Sequence, residues 1–134
     1  MKLESLSCCE KYRKEVASVC FQEWESECRS LGIHSVGDYM DAMEHTVVAH
    51  DKEWMGCVSL ESEDLSTHGH LGPWLTSLYV KSKYRNRGIG KRLVRSVLKE
   101  GLYLWCYHEL KGFYEKLGFK CIELFGDKYI MRYK

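Results

Sequence analysis

The stretch Leu78-Tyr79-Val80-Lys81-Ser82-Lys83-Tyr84-Arg85-Asn86-Arg87-Gly88-Ile89-Gly90-Lys91-Arg92-Leu93-Val94 constrains this chain more than any other. Before it, the apolar, aromatic and β-branched run from Trp74 to Val80 predicts a strand. After it, Leu93, Val94, Val97 and Leu98 recur at the spacing of one helix face. The connection is basic and carries two glycines. A strand feeding such a loop into a helix start gathers backbone N–H groups and the positive end of the helix dipole at one point. Gly88 and Gly90 have no Cβ, so a bulky phosphate can approach the backbone there. The expected structure is a pyrophosphate cradle.

The glycine spacing excludes the commoner nucleotide loops. A P-loop needs GxxxxGK[ST], whereas Gly90-Lys91-Arg92 has neither the upstream glycine nor the hydroxyl; a dinucleotide fingerprint needs GxGxxG, and position 93 is Leu. What the residues spell, from Arg85 to Gly90, is RxxGxG. Here the chain resembles the GNAT superfamily of acyl-CoA-dependent N-acetyltransferases, whose cofactor loop is [QR]xxGx[GA] directly after a strand. Phe113-Tyr114-Glu115-Lys116-Leu117-Gly118-Phe119 resembles the same family's FYxKxGF segment, at the right distance downstream.

At 134 residues the chain is expected to form one domain, 1–134. No run of about eighteen apolar residues occurs and the N-terminus lacks an apolar signal core, so a cytoplasmic protein with no membrane partner is expected. The seven cysteines are odd in number and lie mostly among apolar neighbours, which predicts reduced core thiols. Neither Cys8-Cys9 nor His68 and His70 have established metal-ligand spacing, so no metal is expected. The net charge of +1 conceals a division: residues 1–72 hold 14 acidic and 6 basic side chains, residues 73–134 hold 5 and 14. The C-terminal half therefore favours a polyanion and the N-terminal half a cation. The basic stretch matches no nucleic-acid-binding pattern, and its glycines suit a small anion better, so no nucleic-acid partner is expected.

In chain order, Tyr12, Val16, Val19, Cys20, Trp24, Cys28 and Leu31 predict one helix, and Ser35 with Asp38 a capping box that opens a second. Thr46–His50 and Trp54–Leu60 predict a hairpin; the polar segment from Glu61 to His70 reads as a solvated loop or strand end. A helix from about Gly88 to Glu100, a buried strand from Leu102 to Tyr107, a short helix ending at Gly118 and a last hairpin around Gly126-Asp127 complete the order.

The resemblance implies an α/β (α+β) fold: a mixed, twisted sheet of about six to seven strands with splayed strands four and five, flanked by about four helices. It implies acetyl-CoA as acetyl donor in that gap, its pantetheine pairing with the backbone of Leu78, Tyr79 and Val80. The pyrophosphate would meet the N–H groups of Arg87, Gly88, Ile89, Gly90 and Lys91, flanked by Arg85 and Asn86. Tyr114 matches the family tyrosine that faces the sulfur, and a phenol can protonate a departing thiolate. For the general base, Glu61, Glu63, His70 and a water chain through Thr76 are the candidates, because Trp74 stands where many relatives carry a carboxylate. Tyr107 replaces an asparagine that contacts the cofactor in many relatives. The acceptor cleft of this fold adjoins the acidic half, so Trp24, Glu27 and Glu61 are expected to receive a small polycationic amine such as a polyamine, attacking directly in a ternary complex. A protein lysine, an aminoglycoside, or a CoA-binding domain without catalysis are the alternatives, and a homodimer is the candidate assembly.

Overall fold

β-Branched and aromatic residues place the central strands between two layers of helix. The computed structural model describes residues 1–43, 45–62 and 64–134. Its strands are β1 (Lys2–Ser5), β2 (His45–His50), β3 (Trp54–Glu61), β4 (Trp74–Val80), β5 (Tyr103–Cys106), β6 (Phe119–Phe125) and β7 (Lys128–Tyr133). Its helices are α1 (Arg13–Glu23), α2 (Glu25–Ser30), α3 (Val36–Ala42), α4 (Ile89–Val97) and α5 (His108–Lys116). The strands form one sheet in the order β1-β2-β3-β4-β5-β7-β6, antiparallel except where β4 meets β5. The expected mixed sheet is present.

Two buried clusters cover the sheet. Ile89, Leu93, Val94 and Val97 of α4, with Tyr114 and Leu117, pack on Met55, Val58 and Leu75; Val16, Ala17, Cys20 and Phe21 of α1, with Cys28 and Tyr39, pack on Val48, Trp54 and Cys57. β2 and β3 contribute to both clusters, which is why they read as nearly continuous apolar runs. Burying a side chain the size of Leu93 contributes about 1.5–3 kcal/mol, so the seating of α4 is strongly fixed. All seven cysteines are free thiols, five of them buried.

Three elements differ from the sequence expectation. β1 adds a seventh strand, paired with β2 from Lys2↔His50 to Ser5↔Val47. The first helix breaks at Trp24, whose φ of −124° and ψ of 40° start α2 in a new direction. That break buries Cys28 while turning Trp24 and Glu27 towards the sheet. α4 ends at Val97 rather than Glu100, and Gly101 (φ +81°) serves the turn into β5 instead. The capping box is present: the Asp38 N–H donates to Ser35 Oγ at 3.0 Å, and the Asp38 carboxylate accepts from the His34 N–H at 3.0 Å.

Candidate active site

β4 and β5 meet at one point and then part. The only registered pair is Trp74↔Tyr103, with the Tyr103 N–H donating to Pro73 O at 3.0 Å. A bulge in β4 explains the divergence: Cys57 faces Tyr79 and Ser59 faces Thr76, so β4 spends one more residue than β3 over the same span. Ser77 takes the left-handed conformation there (φ +54°), uncommon for a residue with a side chain. Tyr39 Oη holds Ser77 Oγ at 2.6 Å, and the Cys57 thiol donates to Ser77 O at 3.4 Å. Both anchors come from the α1–α3 cluster, so the core itself fixes the bulge.

Beyond the bulge, the ladder decides which backbone groups face the gap. The Lys81 N–H bonds to Met55 O, so Tyr79 also exchanges with β3, whereas Val80 points away from it. Tyr79 is thus removed from any pairing across the gap; its ring stacks on Trp54 instead, 6.1 Å between centroids. The Val80 carbonyl accepts from Arg85 Nε at 2.7 Å, which leaves the Val80 N–H on the edge away from β3.

The loop then turns through Asn86 (φ +65°) and Gly88 (φ +78°) into α4. The first intrahelical bond runs from the Arg92 N–H to Gly88 O, so the Gly88, Ile89, Gly90 and Lys91 N–H groups at the helix start have no intrahelical acceptor. Nothing lies within 4 Å of a Cβ built on Gly88, whereas one on Gly90 would reach Phe113 and Val80 at 3.8 Å. Gly88 faces open space and Gly90 the packing beneath it. Ile89 contributes only its backbone, its side chain being in the core. Lys81 pairs with Glu15 at 2.9 Å and Lys83 with Glu53 at 2.7 Å, while the Tyr84 hydroxyl also bonds Glu53. These partners hold the Glu53 carboxyl below its usual range. Arg87, Lys91, Arg92, Arg95 and Lys99 make no ion pair with a described residue. The basic run is therefore divided between cations that staple the loop and cations left for a ligand.

A cleft of about 320 Å³ opens on the other side of the splay. Trp24 and Glu27 come from the α1–α2 region, Glu61 from the end of β3 and Asp64 from the loop after it, Thr76 and Leu78 from β4, Trp105 from β5, Tyr107 from the junction between β5 and α5, and Tyr114 from α5. The structure thus brings together Trp24, Glu27, Glu61 and Tyr114, which the sequence offers separately. Glu23 and Glu25 lie outside it, both exposed and the latter paired with Arg29 at 2.8 Å. Glu63 lies outside the described residues. His70 does not line the cleft, and His68, expected in a solvated loop, is buried against Phe125 and bonds Glu123 at 3.2 Å. A solvated reading of that segment fails at His68.

Tyr114 is wedged edge-on between Phe113 and Phe119, with ring centroids 5.1 and 5.7 Å away. Burial, then the neighbouring Cys106, raise its pKa, so its phenol keeps the proton. Asp64, one acid among several in the negative half of the sequence, has its carboxyl pushed far from its ordinary value. Burial chiefly, with help from Glu27, raises it to about 7, against the opposing pull of Trp105 and Lys128. Thr76 Oγ1, buried in the lining of the same cleft, has no hydrogen-bond partner among the described residues. Glu4, Cys9 and His50 form the one group among the described residues whose ligand atoms, within 4.8 Å of one another, suit a metal ion; none lines the cleft.

A mixed sheet splayed beside an unpaired helix N-terminus, with a phenol and carboxylates in the adjoining cleft, is the architecture of an acetyltransferase. The acetyltransferase (GNAT) domain family profile matches residues 42–121, and the chain belongs to that family. Among solved structures it is similar to aminoglycoside 6'-acetyltransferase type Ii, at 26% identity over 98% of this chain and 95% of that one, TM-score 0.69. It is also similar to the aminoglycoside 6'-N-acetyltransferase of Enterococcus faecium (20% identity, 98% and 94% covered, TM-score 0.69). The PaiA N-acetyltransferase of Thermoplasma acidophilum, solved in complex with coenzyme A, shares the fold at 18% identity, 100% and 99% covered, TM-score 0.61. Curated protein sequences yield no match. Among the described residues no helix is long and apolar enough to cross a membrane.

Proposed function

We propose that this protein transfers an acetyl group from acetyl-CoA to a primary amine on a small polycationic acceptor such as a polyamine. The observation that carries the reading is the cleft itself. Glu27, Glu61 and Asp64 gather with Trp24 on one side of a gap whose other side presents Tyr114 and the backbone of Leu78. Carboxylates and an indole face attract an ammonium, and clustered charge of one sign raises its local concentration.

The parts fit the donor as well. The free N–H groups from Gly88 to Lys91 suit a pyrophosphate, Gly88 leaves room for it, and Arg87 and Lys91 supply charge without first breaking an ion pair. Leu78 offers an N–H and a carbonyl for a strand-like amide arm. When bound, acetyl-CoA supplies the activated acyl group. The Val80 N–H, on the same edge, is the donor for oxygen charge that develops during attack. The Tyr114 hydroxyl, kept protonated by its surroundings, gives its proton to sulfur as the C–S bond breaks. Trp24, Glu27 and Glu61 hold the acceptor.

The test is acetyl-CoA turnover across spermidine, aminoglycosides, amino acids and histone-tail peptides. Preference for a polycationic small amine is expected; preference for an acidic or uncharged acceptor overturns the assignment.

A further inference from the structure

A charged ammonium cannot attack a thioester until it loses a proton, and the start of β4 offers Trp74, fully buried with its indole N–H on Leu71 O at 2.9 Å. Two carboxylates elsewhere in the cleft are held differently. Glu27 accepts the Tyr107 hydroxyl at 2.7 Å, which fixes its position and occupies one oxygen. Asp64, half-buried on the loop after β3, has no ion pair and no hydrogen bond of normal geometry with a described residue. Around it stand Glu27 and Cys28 of α2, Trp105 of β5 and Lys128 of β7. The Trp105 indole N–H is the neutral donor nearest the Asp64 carboxyl, and both residues line the same cleft as Glu27.

We propose that Asp64 is the catalytic base, taking the proton of the acceptor ammonium that Glu27 holds beside it. The inference rests on the acetyl-transfer reading. An Asp64 oxygen accepts one ammonium proton, and the freed nitrogen lone pair forms the C–N bond as the carbonyl pair moves onto oxygen. Collapse breaks the C–S bond; sulfur takes the Tyr114 proton, the phenolate regains one from the amide nitrogen, and Asp64 later releases its proton to solvent. One proton is released per acetyl group, as the stoichiometry requires. Glu27, fixed by the Tyr107 hydroxyl, holds the ammonium, and Asp64, without an ion pair, accepts its proton. Asp64, poised at about 7, stands near the optimum for a base working at neutral pH.

The test is the pH dependence of acceptor kcat/KM for the wild type, Asp64→Asn, Asp64→Glu and Glu27→Gln, with acetyl-CoA affinity measured by calorimetry on each. The wild type should show an acidic limb near pH 7, distinct from the ionisation of an aliphatic amine near about 10. Asp64→Asn should lose about 10²-fold or more at pH 7 together with that limb, at unchanged acetyl-CoA affinity. Asp64→Glu should keep a displaced limb, and Glu27→Gln should raise acceptor KM with the limb intact. A wild-type limb that survives in Asp64→Asn, or disappears in Glu27→Gln, overturns the role of Asp64 alone. A wild type that acetylates no amine overturns the acetyl-transfer reading with it.

Discussion

Tyr107 and Glu27 stand 80 positions apart in sequence and are joined by a hydrogen bond of 2.7 Å, phenol to carboxylate. The bond ties α2 to the end of β5, so the N-terminal layer and the splayed sheet enclose the cleft as one unit. Burial first, then Glu27, push the Tyr107 phenol up to about 12 and keep it a donor.

Releasing Glu27 tests this strap. Hydrogen bonds to charged groups contribute about 1.5–3 kcal/mol, and partial exposure puts this one near the lower end. Tyr107→Phe is therefore expected to raise acceptor KM about tenfold while acetyl-CoA affinity stays put. A tenfold loss of acetyl-CoA affinity instead would assign Tyr107 to the donor side.

Tyr114→Phe separates chemistry from packing. The ring meets Phe113 and Phe119 in T-shaped contacts, but its hydroxyl bonds no described residue, so the variant should melt with the wild type. Turnover should fall by about 10² to 10⁴, the usual worth of general-acid help, at unchanged CoA affinity. Unimpaired turnover would leave Tyr114 a core residue.

How far the sequence shows this site depends on whether local or distant residues shape each part. The cradle is legible because Gly88 meets a local demand, a left-handed backbone facing open space, that glycine meets most cheaply. The bulge is not: nothing in Trp74-Leu75-Thr76-Ser77-Leu78 marks it, and Ser77 is held by Tyr39 and Cys57 from elsewhere in the chain. β1 escapes because Lys2-Leu3-Glu4-Ser5 has little strand character and gains its order by pairing with β2. Asp64 reads as one acid in a polar loop, since its burial is imposed by α2 and β5. Glu61 and Asp64 can both be picked out as parts of an acidic patch, but the desolvation of Asp64 cannot.

Gly56 carries a load that its place in a strand hides. A Cβ there would lie 2.7 Å from Tyr79 O and 3.2 Å from Val80 Cα, backbone atoms of β4 that cannot swing aside. Gly56→Ala is expected to cost about 1–3 kcal/mol, seen as a lower denaturant midpoint at unchanged slope. Because the displaced segment carries the Val80 N–H, acetyl-CoA turnover should fall too. A variant as stable and active as the wild type would show that β4 yields more freely than its ladder suggests.

Asp64 should also leave a mark on stability without any substrate. An exposed aspartate titrates near about 3.9, whereas this one holds its proton up to about 7 in the folded chain. Between those values the folded state binds more protons than the unfolded one, so rising pH costs stability across that window and nothing further above it. Discounted for partial exposure, the cost above pH 7 is on the order of 2 kcal/mol. Asp64→Asn removes it. Chemical denaturation should therefore find the variant more stable than the wild type at pH 8, with the advantage shrinking below pH 7 and gone near pH 4. An advantage of equal size at pH 4 and pH 8 would mean that the carboxyl is not desolvated, and would remove the electrostatic ground for its role as base.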